Sequence, residues 1–108
     1  MTTIKIKKEN GSIVRVTSSG HAGYRDGEDI VCAGISTILQ TALLGLLSVA
    51  GINVKFDRDE EEGFLQFTLP EDMSREQRHD ADVILGTMLC GLTDFYQEYS
   101  DYMNLEVK

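Results

Sequence analysis

From Ile30 to Ala50 the chain carries no charged side chain, and this run constrains the fold more than any other segment. A stretch so long and apolar is either a membrane span or the central helix of a packed core. Ser36, Thr37, Gln40, Thr41 and Ser48 interrupt it, and no Lys or Arg stands close to either end, whereas membrane spans are flanked by basic residues. The expectation is a buried core helix, apolar on most faces through Leu39, Leu43, Leu44, Leu46, Leu47 and Val49 and stopping near Gly51. The rest of the 108 residues has to cover it.

The covering material reads as strands. Ile4 and Ile6 alternate with polar neighbours between Thr3 and Lys8, Asn10-Gly11 signals a type I′ turn, and Ile13, Val14 and Val16 open a second strand. After the apolar run, Ile52, Val54 and Phe56 alternate in a third strand, and Phe64, Phe67 and Leu69 mark a fourth. The acidic run from Asp57 to Gly63 is expected to join them as a solvated loop. Pro70 ends this hairpin, and Ser74 with Gln77 forms a capping box. The helix it opens carries Ala81, Ile84, Leu85, Met88, Leu92, Phe95, Tyr96 and Tyr99 at spacings of three and four. Leu105 and Val107 suit a short final strand. The order ββαββαβ contains a weak repeat of hairpin plus helix and predicts one α+β layer domain over residues 1–108. Its antiparallel or mixed sheet packs with two helices.

Chemistry concentrates between the first hairpin and the apolar helix. The second strand delivers His21 to the rim of the sheet, and a Gly-rich polar loop from Ala22 to Glu28 leads to Asp29 and Cys32. Asp29 can cap the helix, which places Cys32 in the first turn, where backbone N–H groups lack intrahelical partners and can serve an oxyanion. A thiol attacks as the thiolate, a form favoured by a helix N-terminus and a nearby imidazole. Taken singly, each residue has a plainer reading. Cys32 alone suits a small core position, and His21 alone suits a hydrogen bond at a strand end. Asp29 reads as cap or as orienter of His21. Ser36, one turn beyond Cys32, can bond substrate or a preceding helix carbonyl. Cys90, among Met88, Leu89 and Leu92, is expected in the core, and His79 in solvent.

The formal charge of −8 argues against a nucleic-acid partner and favours a basic peptide or protein. With two cysteines, two histidines and no C-x-x-C pair, a metal site is not expected. The loop lacks a phosphate-binding Walker pattern and has carboxylates nearby. The opening residues carry no signal-peptide pattern, so a cytoplasmic location is expected, with no disulfide.

The segments GHAGY at 20–24 and GEDIVCAGIS at 27–36 resemble the signature of the bacterial ribosomal-processing cysteine protease family, Prp. There a GHA motif carries the catalytic histidine and a DIVCA motif the catalytic cysteine. The resemblance implies His21 and Cys32 as a catalytic dyad, no cofactor and a homodimer. Their positions beside the dyad make Asp29 and Ser36 the candidates to support it, and the Gly-containing loop with Ala22, Gly23, Tyr24 and Gly27 is expected to close over the substrate. The implied reaction removes the N-terminal extension, ending in aromatic residues, of a precursor of the twenty-seventh large-subunit ribosomal protein. Relatives commonly read DIVCAAVS, so Gly34 is expected to loosen packing beside the nucleophile. Phe95, Tyr96, Tyr99 and Tyr102 offer more aromatic surface than one small domain is expected to bury, which also points to a dimer. The competing reading is a non-catalytic acidic adaptor or ribosome-assembly protein that holds a basic ribosomal protein and uses Cys32 only for packing.

Overall fold

In the computed structural model, which describes residues 1–21 and 29–108, Thr2, Ile4 and Ile6 are buried while Lys5 and Lys7 face solvent. This period of two belongs to a sheet covered on one side. The strand, β1 (Thr2–Glu9), turns through Asn10 and Gly11 at φ of 53° and 81°, both left-handed as a type I′ turn requires. It pairs antiparallel with β2 (Ser12–Ser19).

Helix α1 (Ile30–Leu44) is extended by a π-helical turn, Gly45–Val49. By length and hydropathy, 2.0 on average, the run Ile30–Val49 could cross a membrane. In this fold it buries Val31, Ile35, Leu39, Ala42, Leu43 and Leu46 on one face, 33% of its apolar window, while Ile30, Leu44 and Val49 are exposed, so the helix packs on the core by one face and is not buried all round. Strands β3 (Lys55–Asp59) and β4 (Phe64–Thr68), helix α2 (Arg75–Tyr99) and strand β5 (Met103–Val107) complete the order ββαββαβ. The sheet runs β3-β4-β2-β1-β5. Only β1 and β5 are parallel, and the other pairs are antiparallel.

Helix α2 starts at the predicted capping box, Ser74 accepting from the Gln77 amide at 3.1 Å and Gln77 accepting from the Ser74 amide at 3.0 Å. Its buried stripe is Ala81, Leu85, Met88 and Leu92. Together with Phe67, Leu39 and Leu46 these residues form a single core cluster, in which each large side chain contributes roughly 1.5–3 kcal/mol.

Three expectations need correction. Cys90 is exposed, because two steps beyond Met88 on a helix lie about 200° round from the buried stripe. Strand β3 is exposed throughout, with Phe56 54% accessible; Ile52 and Val54 are buried but precede the strand, which sits on the sheet's edge. The acidic run is not all loop, since Asp57, Arg58 and Asp59 pair with β4 and the turn is confined to Glu60–Gly63. The aromatic residues of α2 are half-buried against the core, a good part of their surface already covered within one chain.

Candidate active site

The end of β2 and the start of α1 meet over one cleft of about 280 Å³, which both His21 and Cys32 line. Ile35, Leu39 and Leu65 give it an apolar floor, and Arg58, Asp59 and Glu60 a charged rim. The structure thus brings the two motif residues to a common cavity. The loop residues Ala22, Gly23, Tyr24 and Gly27 lie outside the described residues.

Cys32 is half-buried in the first turn of α1. Asp29 caps that helix, its carboxylate accepting the Cys32 amide at 2.9 Å, while its carbonyl accepts the Ala33 amide at 3.0 Å. Of the two roles foreseen for Asp29, the cap is the one formed here. The cap also engages the Cys32 N–H, one of the donors that a helix start would offer an oxyanion. On the other side, the Thr2 hydroxyl lies 3.7 Å from the Cys32 sulfur and 3.4 Å from the Gly20 carbonyl. Thr2 is only 2% exposed, so this buried hydroxyl joins the thiol to the peptide that carries His21. Nothing in the sequence pattern marks it, because Thr2 reads as one more β-branched residue of a strand.

His21 finds an unforeseen partner. Its Nε2 lies 3.0 Å from the Glu61 carbonyl oxygen; a carbonyl only accepts, so Nε2 carries a proton and donates it there. The acidic turn therefore orients the imidazole through its backbone. Gly63 makes the approach possible: it sits at φ of 62°, and a Cβ there would come within 2.6 Å of the Gly20 carbonyl and 3.0 Å of the His21 ring. Only glycine fits a left-handed residue pressed this closely against backbone.

Ser36 also lines the cleft. Its hydroxyl accepts from the Gln40 side chain at 2.6 Å, a partner the sequence reading did not foresee. Gly34 does not loosen the site. A Cβ at that position would lie 2.5 Å from Cζ of Phe95, so its absence lets the α2 ring settle on α1 immediately behind Cys32. Phe95 then packs on Tyr99 with ring centroids 4.7 Å apart. His79 is exposed, as expected, beside Asp80 at 3.4 Å.

The family model described as Cysteine protease Prp matches residues 1–104. The chain belongs to this family. It is similar to the ribosomal processing cysteine protease Prp of Bacillus subtilis (strain 168), 30% identical over 106 residues that cover 97% of this chain and 92% of that protein. Its namesake from Staphylococcus aureus (strain Mu50) is 28% identical over 110 residues, covering all of both chains. Among solved structures, the S. aureus protease Prp with a covalently linked product peptide superposes with a TM-score of 0.89 at 27% identity, each chain fully covered. The same protease with a substrate peptide gives 0.85 at 26% identity, again over the whole of both chains. The mixed five-stranded sheet with two helices is thus the Prp fold, and the chain is a cysteine endopeptidase.

Proposed function

We propose that Cys32 and His21 form the catalytic dyad of an endopeptidase that trims the N-terminal extension from a precursor of the twenty-seventh large-subunit ribosomal protein. The observation carrying this reading is the cleft that His21 and Cys32 share, assembled from the two segments that bear the family signature. The Cys32 thiolate attacks the scissile carbonyl carbon, the proton from sulfur having passed to Nδ1 of His21. The resulting imidazolium protonates the leaving amine as the C–N bond breaks. Water then gives a proton to the imidazole and its oxygen to the thioester carbon, so the extension departs as a carboxylic acid and the thiol returns. The Glu61 carbonyl holds the ring in the tautomer this sequence requires, the part a third residue plays in other dyads. First-turn N–H groups of α1 stabilise the oxyanion, with the Asp29 cap holding that turn in place. The chemistry needs no metal or organic cofactor.

The substrate's aromatic residues before the cut enter the cleft that His21 and Cys32 line, above the buried side chains of Ile35, Leu39 and Leu65. The Lys-rich start of the mature protein faces the acidic rim. We place the enzyme in the cytoplasm as a homodimer. Supporting the dimer are the exposed, uncharged residues Thr37, Thr41, Leu44, Val83 and Thr87 on the two helices, which give a charge-poor face suited to a second copy. Incubating the protein with the extended ribosomal protein and weighing the products tests the reading. A single cut after the extension is expected, and an intact substrate contradicts it.

A further inference from the structure

The formal charge of −8 is a sum over the chain, and the structure shows how unevenly it is spread. On the sheet face turned away from the helices lies a basin of about 390 Å³ lined by Lys5, Lys7, Lys8, Arg15 and Lys108, with Glu106 the one acidic side chain among its described lining residues. These five are half of the ten Lys and Arg in the sequence. Lys7 of β1 stands directly opposite Arg15 of β2. On the other flank of β1, the Lys108 amide donates to the Ile6 carbonyl at 2.8 Å, which sets Lys108 beside Lys7. Three cations therefore cross adjacent strands in a row.

Such a row costs stability, since like charges directly opposite on a sheet repel, and an open sheet face needs only polar residues of mixed sign. The nearest carboxylates offset little. Lys7 meets Glu9 at 3.5 Å and Lys108 meets Glu106 at 3.8 Å, but pairs this exposed contribute little. The Arg15 guanidinium is held in place by donating to the Thr68 hydroxyl at 3.2 Å. Strand geometry spaces these cations at roughly 5–7 Å, similar to the pitch of phosphates along an extended nucleic-acid strand. Among the described residues no aromatic ring lines the basin, so the stacking by which bases are held is not offered by them. What remains is recognition of a phosphate backbone without regard to sequence.

We propose that this open face docks the phosphate backbone of single-stranded RNA. A basic ribosomal-protein substrate is repelled here, whereas the rim of the cleft, with Arg58, Asp59 and Glu60, carries one net negative charge, so the two faces serve different molecules. The relatives in B. subtilis and S. aureus are named for ribosomal processing, and RNA is the polyanion of that particle. Because Ile4 and Ile6 point to the core while Lys5 and Lys7 point away from it, RNA bound on this face leaves the cleft open to a peptide.

The test is fluorescence anisotropy of a labelled oligouridylate of about 20 nucleotides with the full chain, at low and moderate salt. Contacts to three or four phosphates give a slope of log K against log salt of about −2 to −3. Lys7→Gln with Arg15→Gln should weaken binding about tenfold or more at low salt and flatten the slope by about 1.4. Peptide cleavage should stay unchanged, and the melting temperature should hold or rise as the repulsion is relieved. Lys108→Gln, at the chain's surface, should weaken binding several-fold without bearing on the fold. Absence of binding at low salt, or wild-type affinity in both variants, overturns the proposal. So does displacement of the RNA by oligoglutamate of equal charge, which makes the face a site for acidic protein segments instead.

Discussion

The carboxylate of Asp29 accepts the amide N–H of Cys32 at 2.9 Å, so the residue that bears the thiol also closes the first turn of α1. Removing this cap should loosen the helix start and the nucleophile together. Asp29→Ala is expected to cost about 1 kcal/mol, read from urea denaturation, and to lower turnover. Asp29→Asn preserves the cap and should keep stability and most of the activity. If Asn is as inactive as Ala yet as stable as wild type, the charge of Asp29 matters and the cap does not explain its role.

Thr2 is tied to the thiol from the opposite side. Its hydroxyl donates to the Gly20 carbonyl at 3.4 Å and lies 3.7 Å from the sulfur, so turning its one O–H onto the thiolate gives up the bond to Gly20. Thr2→Val removes the hydroxyl at nearly constant shape and should lower kcat about threefold to tenfold with little change in KM. Thr2→Ser should restore it. Equal kcat for the Val and wild-type enzymes would confine Thr2 to packing.

Gly34 and Phe95 should behave as one unit. Gly34→Ala pushes a methyl group against the Phe95 ring, and overpacking of this kind costs about 1–3 kcal/mol. Phe95→Leu should absorb part of that cost, so the double variant is more stable than the two single effects predict. Thermal melts of the four proteins measure this coupling. Strict additivity would mean that the ring moves aside freely.

Much of the fold could be read from the sequence because it is locally encoded. Asn10-Gly11 demands its turn, Ser74 and Gln77 cap α2 within four residues, and the charge-free run forms a helix whose inner face is buried. What could not be read depends on contacts distant in sequence. Nothing near β1 announces its parallel pairing with β5 or the placement of β2 between β1 and β4. Cys90 was misplaced because its apolar neighbours in sequence are not its neighbours round the helix. At the site, His21, Asp29 and Cys32 stand out through residue type and spacing. The Glu61 carbonyl that holds His21 is a backbone group, invisible to any motif, and the Gly63 contact that admits it exists only once the β3–β4 turn folds over Gly20.

Substrate choice should depend on salt. Asp59 and Glu60 rim the cleft beside Arg58, which pairs with Glu60, so the rim carries one net negative charge; such a charge acts mainly on encounter and is screened over about 8–10 Å at physiological salt. Replacing the aromatic pair of an extension peptide by Ala should cut turnover strongly. Replacing Lys residues after the cut by Glu should raise KM at low salt and matter less at high salt. Equal turnover of all these peptides would contradict the assignment of the apolar floor and acidic rim.

The most direct test of the account compares the two cysteines on an extended ribosomal-protein substrate, with products weighed by mass spectrometry. Cys90 is exposed and Cys32 half-buried, so accessibility alone favours Cys90 as the reactive thiol, and only catalytic placement favours Cys32. Cys32→Ala and Cys32→Ser should both abolish cleavage while keeping the fold, as should His21→Ala, and Cys90→Ala should cleave at the wild-type rate. Cleavage by Cys32→Ala at the wild-type rate would contradict the assignment of Cys32 as nucleophile.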